Sequence, residues 1–247
     1  MATVRRPATR ARSAIFAPIG DEGRAVRVEN RLAEAIRSGV LADGERLPSE
    51  PELASMLGVA TVTAREALVA LRAQGLVATT RGRGGGSFVT RPEPSGAAEI
   101  GSRLSAMSRV ELRDRGTIYG VILSGCAELA AERADATDVE GLRVLLLDQD
   151  ETDVGRWRHS DSELYLSLAA MTQSARMTRE VVRLEADFGA LLRLPLSEPG
   201  FRAATTSRHS ALVDAIEAHR PDEARRQVRE HIGEALERLA DLHAAVP

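Results

Sequence analysis

Three residues far apart in the 247-residue chain share a setting in which they could do chemistry together. Asp161 falls in helical register with Trp157, Leu164 and Leu168. His209 does so with Leu212, Val213 and Ile216, and His231 with Ala224, Val228, Ala235, Leu239 and Leu242. Each is a polar group on a face that is otherwise apolar. A buried carboxylate is costly without a partner. One carboxylate and two imidazoles from three packed helices make an economical ligand set for a divalent cation. A buried hydrogen bond to Asp161 from His209 or His231 accounts for the same pattern. A metalloenzyme built on these three ligands would keep open coordination positions, but the chain shows no nucleophile paired with a base and no phosphate-cradling motif.

A second group of residues suits nucleic acid. Thr61 and Arg65 stand four apart, on the outward stripe of a stretch whose inward stripe is Ala64, Leu68 and Leu71. Further on, Arg81-Gly82-Arg83-Gly84-Gly85-Gly86 is a glycine-rich tip with two arginines, suited to phosphates or a minor groove.

The elements that must position these groups follow from periodicity and capping. A helix is expected from Arg24 to Ser38, ended by Gly39. Pro48-Ser49-Glu50-Pro51-Glu52 starts a second helix, with Ser49 and Glu52 spaced as a capping box and Gly58 as its stop. A third runs from about Thr61 to Gln74. Two helices joined by a tight glycine-containing turn form a helix-turn-helix, whose second helix enters the major groove. An arginine at its start can read guanine with two hydrogen bonds. Leu76–Thr79 and Ser87–Thr90 read as two short strands flanking the arginine-glycine tip, which makes it a wing. Arg91–Gly96 has the composition of a hinge. Six helices are expected beyond it, over 108–134, 137–148, 155–172, 175–193, 203–219 and 222–243.

The expected fold is therefore mainly α: a winged helix-turn-helix of three helices and a two-stranded wing, then an antiparallel bundle of about six helices. The expected domains are a disordered basic arm over 1–23, a winged helix over 24–91, a linker over 92–100 and a helical domain over 101–247.

Composition agrees with this division. All 33 basic residues are arginine, and the formal net charge is −3. Residues 1–91 hold 14 arginines against 9 acidic residues, a balance of +5, and the remainder is at −8. A basic head on an acidic body suits a nucleic-acid reader with a separate second domain. No apolar run approaches the roughly 18 residues of a membrane span. The single Cys126 excludes an internal disulfide and suits a reducing cytoplasm.

Residues 24–91 resemble the winged helix of the GntR family of bacterial transcription regulators. The segments that carry the likeness are LPSEPELASMLGVATVTAREAL, LRAQGLV and RGRGGGSFV. The resemblance implies DNA contacts from Ser49, Thr61, Thr63, Arg65, Arg81, Gly82 and Arg83. Pro51 and Thr61 stand where the family often has arginine, so a different operator sequence is expected. Residues 101–247 resemble the helical effector domain, of FCD type, in the fatty-acid-degradation-regulator branch of that family. That likeness implies a homodimer on an operator and a small-molecule effector, an organic acid being the expected class. It also implies one divalent metal per subunit (zinc, nickel or manganese) on Asp161, His209 and His231. Tyr165 stands where the branch has a fourth ligand, a histidine. Water in its place, weak coordination by Tyr165, or a site without metal all remain open. The function implied is a transcription regulator, expected to be a cytoplasmic repressor and not an enzyme. A DNA-binding protein that has lost its sensing is the alternative.

Overall fold

Alternating aliphatic stripes and strong caps set the N-terminal elements. Helix α1 (Arg24–Ser38) buries Val28, Leu32, Ala35 and Ile36. In α2 (Glu50–Leu57), Ser49 caps the backbone N–H of Glu52, and the Glu52 side chain returns to the Ser49 N–H at 2.8 Å, completing the capping box. Gly58 ends the helix at φ 66. Helix α3 (Thr61–Ala73) then leaves at 111° to α2, within the range of a helix-turn-helix. Strands β1 (Val77–Thr80) and β2 (Gly86–Val89) pair antiparallel, with Val77 opposite Val89.

The wing has a third participant that local sequence does not announce. Residues 44–47 run along the free edge of β2, with Leu47 N–H donating to Ser87 O at 2.9 Å and Val89 N–H to Glu45 O at 2.8 Å. This occupies an edge that would otherwise present unpaired backbone.

The computed structural model describes residues 15–16, 23–82, 84–90, 97–147 and 154–245. Most of the expected arm, the segment 91–96 and Arg83 lie outside them. The chain forms two compact units, one within Arg12–Pro94 and the other over Ser95–Pro247.

The second unit consists of helices joined by turns, with no strand among its described residues. Its helices are α4 (Ala97–Ser105), α5 (Arg109–Arg133), α6 (Ala136–Leu147), α7 (Val154–Met171), α8 (Ala175–Leu184), α9 (Ala190–Leu192), α10 (Pro199–Glu217) and α11 (Pro221–Ala245). Helix α4 begins inside the stretch read as linker. The most extensive packing in this unit is α5 along α11, where Gly116 lets Leu236 sit directly against the α5 backbone. About two thirds of the residues of helix α7 are buried, and it contacts α5, α6 and α8.

The expected single helix over 175–193 is interrupted. A π-helical turn spans Glu185–Gly189 between α8 and α9, and a 3-10 turn comes next at Leu194–Ser197. A π turn adds one residue to a helical register and re-aims the residues beyond it. Here the turn carries Glu185, and Arg193 stands four residues past its end.

Candidate functional site

The outward face of α3 is open. Thr61 and Arg65 are exposed and Thr63 is half-buried, while Ala64, Ala67, Leu68 and Leu71 face the core. Arg65 donates through Nε to Glu50 Oε2 at 2.8 Å. Its side chain keeps 63% exposure, so the pair orients the guanidinium without hiding it. Such an exposed pair contributes little to stability. Ser49 lies beside it, at the start of α2. Arg81 and Gly82 are exposed at the wing tip, with Gly82 at φ 102. Arg46 braces this hairpin, its Nη2 donating to Gly85 O at 2.7 Å.

In the helical unit, Asp161 of α7, His209 of α10 and His231 of α11 do converge. They are 3%, 1% and 6% exposed. One ligand atom from each lies within 4.8 Å of the others. Tyr165, one turn beyond Asp161, packs edge-on to His209 and parallel to His231 at centroid distances of 6.1 and 6.4 Å. Trp157 stacks on His209 at 5.7 Å, and Phe201 covers His231 at 5.9 Å. Burial, reinforced by Arg193, pushes His209 down to about 3. Burial, then His209, does the same to His231, also to about 3. Both rings are thus neutral at physiological pH. Burial, with the Asp161 charge, holds the Tyr165 phenol well above its ordinary value. The Tyr165 hydroxyl, His231 Nδ1 and Trp157 Nε1 are buried without a hydrogen-bond partner within the protein, while Asp161 Oδ1 lies 3.4 Å from His209 Nε2, the carboxylate–histidine pairing that the sequence left open.

The residues that complete this site escape a reading of periodicity. Arg193 reaches Asp161 Oδ2 through Nε at 2.6 Å and Glu185 Oε2 through Nη2 at 2.8 Å. Ser162 donates to Glu185 Oε2 at 3.0 Å, and the Tyr119 hydroxyl donates to Glu185 Oε1. Burial opposes charge on Arg193, but Glu185 and Asp161 more than offset it, leaving the guanidinium well above its ordinary value. Two further arginines meet the backbone beyond it. Arg158 Nε donates to Arg193 O at 3.2 Å, and Arg202 Nη1 donates to Leu196 O and Ser197 O at 2.7 and 3.0 Å. Arg202 Nε is buried without a hydrogen bond. Burial, then the charges of Arg193 and Arg202, lower the pKa of Arg158. A sequence signal existed for Glu185, a charge in register with Val181, Val182 and Phe188. None marked Arg193.

Asp161, His209 and His231 form a group able to approach a cation, and neutral imidazoles are the ligand form. A divalent ion is nevertheless a poor fit. Arg193 already sits on Asp161 Oδ2 at 2.6 Å, so a divalent ion brought to the same carboxylate would meet a guanidinium charge that opposes it. The fourth position is a protonated phenol, a weak donor. Cys126 offers nothing here: it is buried, and burial pushes its thiol up to about 12.

The comparisons with known proteins decide the family. Residues 24–89 match the bacterial regulatory proteins of the gntR family, and residues 117–234 match the FCD domain. Over 237 residues the chain is 35% identical to RmpR of Mycobacterium gastri, described as an HTH-type transcriptional regulator. The match covers 93% of this chain and 85% of that protein. The chain belongs to the GntR family. It is a DNA-binding transcription regulator with an FCD domain, and its family is one of regulatory proteins, not enzymes. It is also 33% identical to the HTH-type transcriptional repressor NanR of Cronobacter sakazakii, over 83% of this chain and 81% of NanR. The Uxu operon regulator of Haemophilus influenzae is 26% identical, over 87% and 82%. The solved structure of E. coli McbR/YncC matches with a TM-score of 0.52 at 18% identity, covering 90% of this chain and 99% of that one, a likeness of fold. Among the described residues of this GntR-family chain, no single helix is long and apolar enough to cross a membrane.

Proposed function

We propose that this GntR-family regulator is a cytoplasmic homodimeric repressor, released from its operator when a small organic acid binds the helical domain. The observation that carries the sensing half is the set of buried polar atoms without a hydrogen bond in the protein on Tyr165, His231 and Trp157, beside the Asp161–His209 pair. Buried polar groups are nearly always paired in native proteins, so such a set suits a ligand. The acid class is the one the family resemblance implies; Arg193, the guanidinium beside these atoms, is taken by Asp161 and Glu185, and Arg158 and Arg202 donate to backbone carbonyls at and beyond Arg193.

The reading head is α3 with the wing. Ser49, Thr61, Thr63 and Arg65 meet base edges and phosphates in the major groove, and Arg81, Gly82 and Arg83 follow the backbone or the minor groove. A two-fold protein matches a palindromic site, which is the reason to expect a dimer. NanR is named a repressor, which supports that direction. An effector shifts operator affinity only if it binds the two states differently. The finer reading of a zinc, nickel or manganese ion per subunit is set aside because Arg193 already compensates Asp161, and sensing is assigned to the protein's own groups.

The test takes duplexes selected by the full chain from a random pool and measures affinity by fluorescence anisotropy. Short carboxylic acids and sugar acids are then added at millimolar concentration. Release of at least tenfold by one class, with a rise in melting temperature, is expected. If no acid changes either quantity while DNA binding is intact, the alternative of a regulator without sensing stands.

A further inference from the structure

We propose that Arg193 is the resident cation of the Asp161 site, holding within the chain the positive charge that a divalent metal would otherwise bring. The guanidinium is bound on two sides. Nε meets Asp161 Oδ2 at 2.6 Å and Nη2 meets Glu185 Oε2 at 2.8 Å, with all three side chains no more than 8% exposed. Glu185 is itself fixed by hydroxyl donors from two other helices, Tyr119 of α5 and Ser162 of α7. Arg193 is therefore gripped by a network that ties three packed helical segments together, not resting by chance against a free carboxylate.

The backbone is built for this grip. Eight residues along a regular α-helix lie about 80° apart around the axis, which would part Glu185 from Arg193. The π turn at Glu185–Gly189 absorbs one residue, so the two stand as if about seven apart, within about 20°. Gly189 leaves room for the pair. A side chain there would come within 2.6 Å of both Arg193 Nη1 and Glu185 Oε2. With its charge already compensated, Asp161 has no need of a metal, and Tyr165 in the fourth position has nothing to coordinate. This assignment does not rest on which effector the domain binds.

The test strips the full-length protein with a chelator, adds zinc, nickel or manganese, and measures affinity by competition with a chromophoric chelator alongside thermal melting. Four proteins are compared: wild type, Tyr165→His, the pair Arg193→Met with Glu185→Gln, and the combination of all three substitutions. Removing Arg193 together with the Glu185 charge avoids leaving a lone buried carboxylate at Glu185. Wild type and Tyr165→His are expected to hold no metal tighter than micromolar and to melt unchanged. The combined variant is expected to bind at least 100-fold tighter than Tyr165→His. One equivalent held below micromolar by wild type, or a Tyr165→His protein as tight as the combined variant, overturns the proposal. If the combined variant fails to fold, as read by circular dichroism, the wild-type and Tyr165→His titrations decide, because neither protein disturbs the ion pairs. Loss of DNA binding by wild type would remove the regulator reading and leave this result untouched.

Discussion

Replacing Gly189 with alanine adds one methyl group at the centre of the buried ion network, and its cost can be worked from the geometry. The new Cβ would stand 2.6 Å from both Arg193 Nη1 and Glu185 Oε2. Side-chain ends on a surface would swing away at little cost. These cannot, since Arg193 is held on Asp161 at 2.6 Å and Glu185 by Ser162 at 3.0 Å and by Tyr119. Breaking a buried pair costs about 3–5 kcal/mol, and replacing a helical glycine returns about 1 kcal/mol of propensity. The net loss expected is about 2–4 kcal/mol. For a chain of this size, each kcal/mol moves the melting temperature by about 2–4 °C. Gly233→Ala is the control: it too lies in a helix, but nothing stands within 4 Å of its added Cβ, and it should leave stability equal or raised by up to about 1 kcal/mol. Urea unfolding followed by circular dichroism, with thermal melting beside it, gives both numbers. A Gly189→Ala protein within about 0.5 kcal/mol of its Gly233→Ala counterpart would refute the argument that the network is rigid and stabilising.

Two other predictions concern the same site. Folding holds His209 and His231 at about 3, below their ordinary 6.5, so the unfolded chain binds more protons between these values. Stability should be complete above about pH 7 and fall with acidification, by about 2 kcal/mol per histidine at pH 5. Equal urea midpoints at pH 7.5 and pH 5.0 would contradict the neutral, buried assignment. Tyr165→Phe removes a buried hydroxyl without a protein partner, so the unliganded protein should be unchanged or stabilised by up to about 1 kcal/mol. A loss of more than about 1 kcal/mol in a ligand-free melt would show that the hydroxyl has a structural partner.

Much of this arrangement was legible because burial leaves a periodic trace. Asp161, His209 and His231 each break an apolar stripe, which placed each of them inward, and the family resemblance joined them as one set. The Ser49–Glu52 box and the glycine after α2 are local signals, and the structure has both where the spacing put them. The hidden features depend on non-local geometry. A π turn has no marker in the run from Ala175 to Arg193, whose apolar periodicity reads as one helix, so the alignment of Glu185 with Arg193 could not be seen. The pairing of residues 44–47 with β2 is set by tertiary packing, and nothing local in Gly44-Glu45-Arg46-Leu47 announces it. Arg193 looks like any arginine at a helix end. Its role emerges only once Asp161, 32 residues earlier, is beside it.

The central claim is that this chain reads DNA with the outward face of α3, and Arg65 tests it most directly. The decisive measurement is anisotropy of wild type and Arg65→Ala on a duplex selected by the wild-type chain, beside a scrambled duplex at the same salt. A good arginine–guanine contact contributes about 1–3 kcal/mol, so the variant should lose roughly 5- to 150-fold on the selected duplex. On the scrambled one, where only phosphates are met, it should lose far less. Failure of the selection to enrich any sequence, or equal affinity of the two proteins for the selected duplex, would contradict the account.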